Sequence, residues 1–153
     1  MGDTGGVIHL AAFRGYLFDS NDPDLDRRIR ETRTDHGLPQ QYDYPFELYW
    51  EIEGYEAQQA YTGAISDLLG AGSADVLVDH IDYIVRRVGI DHVGIGNDFN
   101  HGGGIEGFVD ASGALVITRA LLRRGYSEAE IAKIWGGNFL RVMRAAEASA
   151  LAR

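Results

Sequence analysis

Two short apolar runs bounded by glycine constrain this chain more than any other feature. "TGGVIHLAAF" (residues 4–13) and "DHVGIGNDF" (residues 91–99) are nearly continuous in apolar and β-branched residues. Each therefore reads as a strand buried on both faces, the pattern of a parallel sheet. Two such strands cannot form a stable sheet alone. The connection between them is also far longer than an ordinary crossover. Residues 1–153 are thus expected to form a partial α/β domain, with 19–72 inserted between its strands.

The remaining pattern is helical. "DPDLDRRIRETRTDHG" offers Asp22 as N-cap, Pro23 at the first helical position, and His36 and Gly37 at the stop. "SADVLVDHIDYIVRRVG" is capped by Ser73 and ended by Gly89. Its stripe of Val76, Leu77, His80, Ile81, Ile84, Val85 and Val88 predicts one buried face, with His80 half-buried on it. "ALVITRALLRRG" predicts a further helix stopped by Gly125, with Arg123 and Arg124 at its solvated end. "SEAEIAKIWGGNFLRVMRAAEAS" opens with a capping box of Ser127 and Glu130 and carries a break at Gly136-Gly137. Ile117, Leu121, Ile131, Ile134, Phe139, Leu140 and Val142 are the expected core of these last helices.

Charge narrows the partners. The net charge is -9, and residues 19–72 hold -8 of it, together with the aromatic run "YDYPFELYW". A chain of this sign lacks the clustered cations that nucleic acid or an anionic membrane requires. It has no cysteine, hence no disulfide framework and no thiolate ligand. No apolar run is long enough for a membrane span, and "MGDTGG" does not read as a secretory signal.

Asp98 is the residue that asks for a chemical explanation. Strand alternation puts Val93, Ile95 and Asn97 on one face, and His92, Gly94, Gly96 and Asp98 on the other. The second face fits the crowded interior of a closed barrel with Asp98 at its mouth, where barrel enzymes place their reacting groups. "NHGGG" follows, a loop where backbone can approach a ligand closely. On pattern alone a turn-capping role for Asp98 stands beside this one.

Three motifs, "DHIDYI", "GIGNDF" and "LLRRGY" with "GGNFLRV", occur in an order that resembles the C-terminal third of the membrane dipeptidase family of zinc peptidases. The resemblance implies the last two strands, and their helices, of a (β/α)₈ TIM-type barrel. It implies hydrolysis of a dipeptide by metal-activated water, with Asp98 as general acid/base. Tyr16, Asn100 and His101 are the expected substrate-side neighbours. Many members carry Asp and Gly where this chain has Asn100 and His101.

The family's two zinc ions take ligands from upstream strands, so no metal ligand is expected here. His80-Ile81-Asp82 does not supply one, because residues two apart on a helix point about 200° apart. His9 could face the barrel interior but reads as packed or hydrogen-bonded, and His92 as structural. Uncovered strand edges and apolar surface favour a homo-oligomer. Two other readings remain: a non-enzymatic remnant whose aromatic run is an interaction surface, and half of a site completed by a second chain.

Overall fold

The computed structural model describes residues 2–19, 21–99 and 103–151. It is an α/β chain, mostly helical, with one two-stranded sheet. It divides into two compact units, residues 1–13 with 73–153, and residues 14–72.

In the first unit, β1 (Ile8–Ala11) and β2 (Val93–Gly96) pair in parallel, with Ile8 opposite Val93 and Ala11 opposite Gly96. Both strands are shorter than their apolar runs. On one sheet face Val93 and Ile95 are buried, and helices α3 (Ala74–Val88) and α4 (Ala114–Arg123) complete that core with Leu77, Val78, Ile81, Ile117 and Leu121. Both expected stops hold, with Gly89 at φ 97 and Gly125 at φ 88, and the Ser73 side chain accepts from the Val76 amide. His80 departs from expectation: it is exposed. Val78 takes the buried place instead, so the stripe runs along a line that leaves His80 outside it. The arginines at the end of α4 also do more than meet solvent. Arg124 pairs with Asp79 and Asp82, both at 2.6 Å, and ties α4 to α3.

The last helical stretch is α5 (Glu128–Ala132), a π-helical segment (Lys133–Gly137) and α6 (Asn138–Leu151). The capping box of Ser127 and Glu130 is formed, and its hydrogen bonds hold the Glu130 carboxyl below its ordinary value. The expected break at Gly136-Gly137 is this π segment, a local widening that inserts a residue into the helix. Beyond it the expected core fails, since Phe139 and Leu140 are each 47% exposed. The buried position belongs to Asn138, whose Nδ2 donates to the carbonyls of Ile90 (2.8 Å) and Val93 (2.9 Å).

The second unit holds α1 (Pro23–Asp35) and α2 (Tyr55–Leu69). Asp22 caps α1 through the Asp24 and Leu25 amides, as its sequence predicts, and His36 is the C-cap. Helix α2 has no such advertisement: its N-cap is Gly54, with no side-chain cap. The centre of this unit is Arg33, a fully buried guanidinium. It donates to the carbonyls of Pro39 (2.7 Å), Pro45 (3.2 Å) and Glu47 (2.8 Å), and to the Tyr61 hydroxyl (3.1 Å). A buried cation needs such donors' partners to offset its lost hydration, and here they fasten residues 39–47 between the two helices. Tyr42 lies against the same guanidinium and donates to Asp26 at 2.8 Å.

Two outcomes follow from these contacts. Asn138→Ala strips side-chain donors from two carbonyls at the head of β2, and should cost about 1–3 kcal/mol by denaturant unfolding. An unchanged midpoint would contradict this role. In the second unit, burial first and then the hydrogen bond to Asp26 push the Tyr42 phenol up to about 12 from 10.0. The fold thus favours the neutral phenol. Its contribution is whole below pH 10 and is lost as pH rises through about 12. Unfolding midpoints at pH 8 and pH 11 should therefore differ, and Tyr42→Phe should shrink the difference.

Candidate functional site

Asp98 stands two residues beyond β2, exposed, in the left-handed region at φ 54. This conformation costs a non-glycine residue about 1–2 kcal/mol, and Asp tolerates it better than most. Because β2 ends at Gly96, the alternation that grouped Asp98 with Gly94 and Gly96 stops short of it.

The neighbours of Asp98 are fixed from both sides. Phe99 packs edge-on against Phe108, with ring centres 5.3 Å apart. The Oδ1 of Asn97 is buried, with no hydrogen-bond partner among the described residues. The amide of Gly103 donates to the Asp98 carbonyl at 2.9 Å. A Cβ at Gly103 would stand only 2.0 Å from the Asn97 carbonyl oxygen and 2.5 Å from that of Asp98. The amide of Gly104 (φ 130) reaches the Ala12 carbonyl at 2.6 Å, tying the returning loop to the end of β1. Glycines in "NHGGG" thus let two stretches of backbone lie against each other around Asp98.

Tyr16 belongs to the second unit, where it is exposed and packs edge-on to Tyr44 at 5.4 Å. Asn100 and His101 lie outside the described residues. His9 is exposed on the sheet face away from Val93 and Ile95. Its Nδ1 is 3.2 Å from the Ile95 carbonyl, and its ring fills the place where a Cβ of Gly94 would be. His92 contacts the Gly6 carbonyl through Nδ1 at 2.7 Å, the structural part expected of it.

A metal site needs several convergent donors. Among the described residues no group of three or more His, Cys, Asp or Glu side chains could hold a metal ion. The described residues therefore do not fit the zinc centre that the sequence resemblance implies. A shallow cleft of about 330 Å³ between α3 and the start of α5 is lined by Asp82, Arg86, Arg124, Tyr126 and Glu130. Its acids are already engaged: Asp82 by Arg124 and Tyr126, Glu130 by Ser127. Burial, then the bond to Asp82, raises the Tyr126 phenol above its usual range. The cleft is a helix junction.

The sequence shows Asp98 next to a glycine loop but gives no sign of the aromatic contact beside it. "DF" gave no sign that Phe99 would meet Phe108, and that Phe108 would meet Trp135 at 6.0 Å. The apolar spacing of these residues is not periodic, so only the folded chain brings them together.

The parallel strand β2 thus leads to an exposed carboxylate on a glycine loop within an α/β chain. The family model for membrane dipeptidase (peptidase family M19) matches residues 1–153, and the chain belongs to that family. It is similar to dipeptidase ataJ of Aspergillus terreus, 49% identical over 74 residues that cover 46% of this chain and 18% of that protein. Against dipeptidase 3 of Rattus norvegicus it is 36% identical over 76 residues, 49% of this chain and 16% of that protein. The crystal structure of the probable dipeptidase PvdM from Pseudomonas aeruginosa superposes with a TM-score of 0.67 at 39% identity. That match covers 92% of this chain and 37% of the other. The chain thus spans under a fifth of these curated relatives and little over a third of the solved one.

Gly103→Ala places a methyl group on two carbonyls that cannot both retreat, and should cost about 1–3 kcal/mol, read as a lower melting temperature. A melting temperature equal to the parent's would show that the loop adapts freely.

Proposed function

We propose that this chain carries the closing part of a (β/α)₈ barrel in a dipeptidase, and that Asp98 is the general acid/base of dipeptide hydrolysis. One observation carries the reading: in a member of this family, an exposed carboxylate follows a parallel strand on a loop where backbone comes close. Asp98 would take a proton from the attacking water and return it to the nitrogen of the departing amine, the exchange a strand-end carboxylate can serve. Tyr16, Asn100 and His101 are the substrate-side candidates in this proposal. The family resemblance also implies two zinc ions, whose ligands would come from other strands. Self-association into a homo-oligomer is supported by apolar side chains on α6, with Phe139, Leu140 and Met143 exposed.

A second reading is supported by the other unit. Trp50 and Tyr55 are 55% and 74% exposed within its acidic sequence. These features suit an interaction surface for a basic or apolar partner.

The test is Asp98→Asn in a dipeptidase that carries this segment within its full chain. Turnover should fall about 10²- to 10⁴-fold, the range for losing a positioned acid/base. Metal content should stay close to that of the parent. Asparagine is itself a good turn cap, so a cap alone would leave the rate unchanged. Joint loss of metal and activity would instead make Asp98 a ligand.

A further inference from the structure

We infer that the aromatic stack Phe99–Phe108–Trp135 is the positioning device for the Asp98 carboxylate, an inference that rests on the acid/base reading of Asp98. A residue at φ 54 stays there only when its surroundings over-determine it. On the glycine side the Gly103 amide holds the Asp98 carbonyl. On the other side the next residue, Phe99, is held by its ring.

The stack has a rigid base. Phe108 is 1% exposed and closes a tight turn with Ile105, each donating its amide to the other's carbonyl at 2.9 and 3.2 Å. Its ring meets Phe99 at 79° and Trp135 at 85°, both edge-to-face. That is the arrangement favoured by the ring quadrupoles, and one that sliding or tilting weakens. Trp135 is oriented in turn by its Nε1, which donates to the Thr118 hydroxyl on α4 at 3.0 Å. It sits in the π segment, three residues before Asn138, which grips the head of β2.

A closed path therefore runs from Asp98 through Phe99, Phe108 and Trp135, then through Asn138 to the strand that carries Asp98. Side chains without any proton to exchange would set the angle of the one that has. A π segment, an uncommon local structure, carries Trp135 to Phe108 and ends where Asn138 grips β2.

The experiment is a kinetic cycle in a dipeptidase that carries this segment within its full chain. It uses Phe99→Leu, Trp135→Phe, Asp98→Asn and the two doubles with Asp98→Asn. Trp135→Phe keeps a ring in the stack and loses only the bond to Thr118, so it serves if Phe99→Leu does not fold. Phe99→Leu should lower kcat about 10- to 100-fold with KM nearly unchanged, since small misplacement of a reacting group is that costly. Trp135→Phe should show a smaller loss of the same kind. Both losses should vanish in the Asp98→Asn background. A lower melting temperature with unchanged kcat in both single variants would overturn the inference, as would losses that add in full to that of Asp98→Asn. Parental turnover in Asp98→Asn alone would remove the acid/base reading and the stack's catalytic role together.

Discussion

The first unit depends on how the N-terminal ends of its two strands are held. A pair of parallel strands leaves carbonyls at that end without partners in the ladder, and buried ones must find donors. Asn138 supplies two, to Ile90 and Val93. Arg141, one helical turn on, supplies two more, to Gly5 (2.8 Å) and Asp91 (2.7 Å). His92 reaches Gly6, and Lys133 pairs with the Asp91 carboxylate at 2.7 Å, which lowers that group's pKa through its hydrogen bond. Donors from one stretch, 133–141, thus clamp both strands. The apolar core behind Val93 and Ile95 then has a fixed sheet to pack on.

This clamp explains what the sequence made legible and what it hid. Caps and stops were readable because their chemistry is local: Asp22, Ser73 and the Ser127–Glu130 box each bond within three residues. The two parallel strands were readable for the same reason, from composition and bounding glycines. The apolar face of the last helix was not. Apolar type marks Phe139 and Leu140 as core, yet the demand of buried carbonyls for donors gave the buried position to Asn138, a polar residue. Periodicity records hydrophobicity and is blind to such long-range hydrogen bonds. His80 failed on a finer point. It lies at the edge of a stripe on α3, and the packing of Leu77, Val78 and Ile81 decided which side of that edge was buried.

The two units treat charge in opposite ways, and the contrast bears on where chemistry can occur. Arg33 is buried, and carbonyls, a hydroxyl and the face of Tyr42 take up its guanidinium, though its Nη2 has no hydrogen-bond partner among the described residues. Such a group specifies the loop around it and is not presented to a substrate. Helix α2 went unread largely because its anchor is this distant arginine, which meets the Tyr61 hydroxyl across 28 residues of sequence.

Asp98 is the reverse case. It is exposed, its carbonyl accepts from the Gly103 amide, and the neighbouring Phe99 packs on Phe108. In the acid/base reading proposed for Asp98, rigid backbone beneath an accessible carboxylate would set the geometry before substrate arrives. Asp110 is a turn cap, its side-chain oxygen accepting from the Ser112 amide at 2.8 Å. The sequence could not separate the two aspartates, since both precede helical or turn segments. In backbone they differ: Asp98 is left-handed beside glycines that admit carbonyls to within contact, and Asp110 is extended at φ -154.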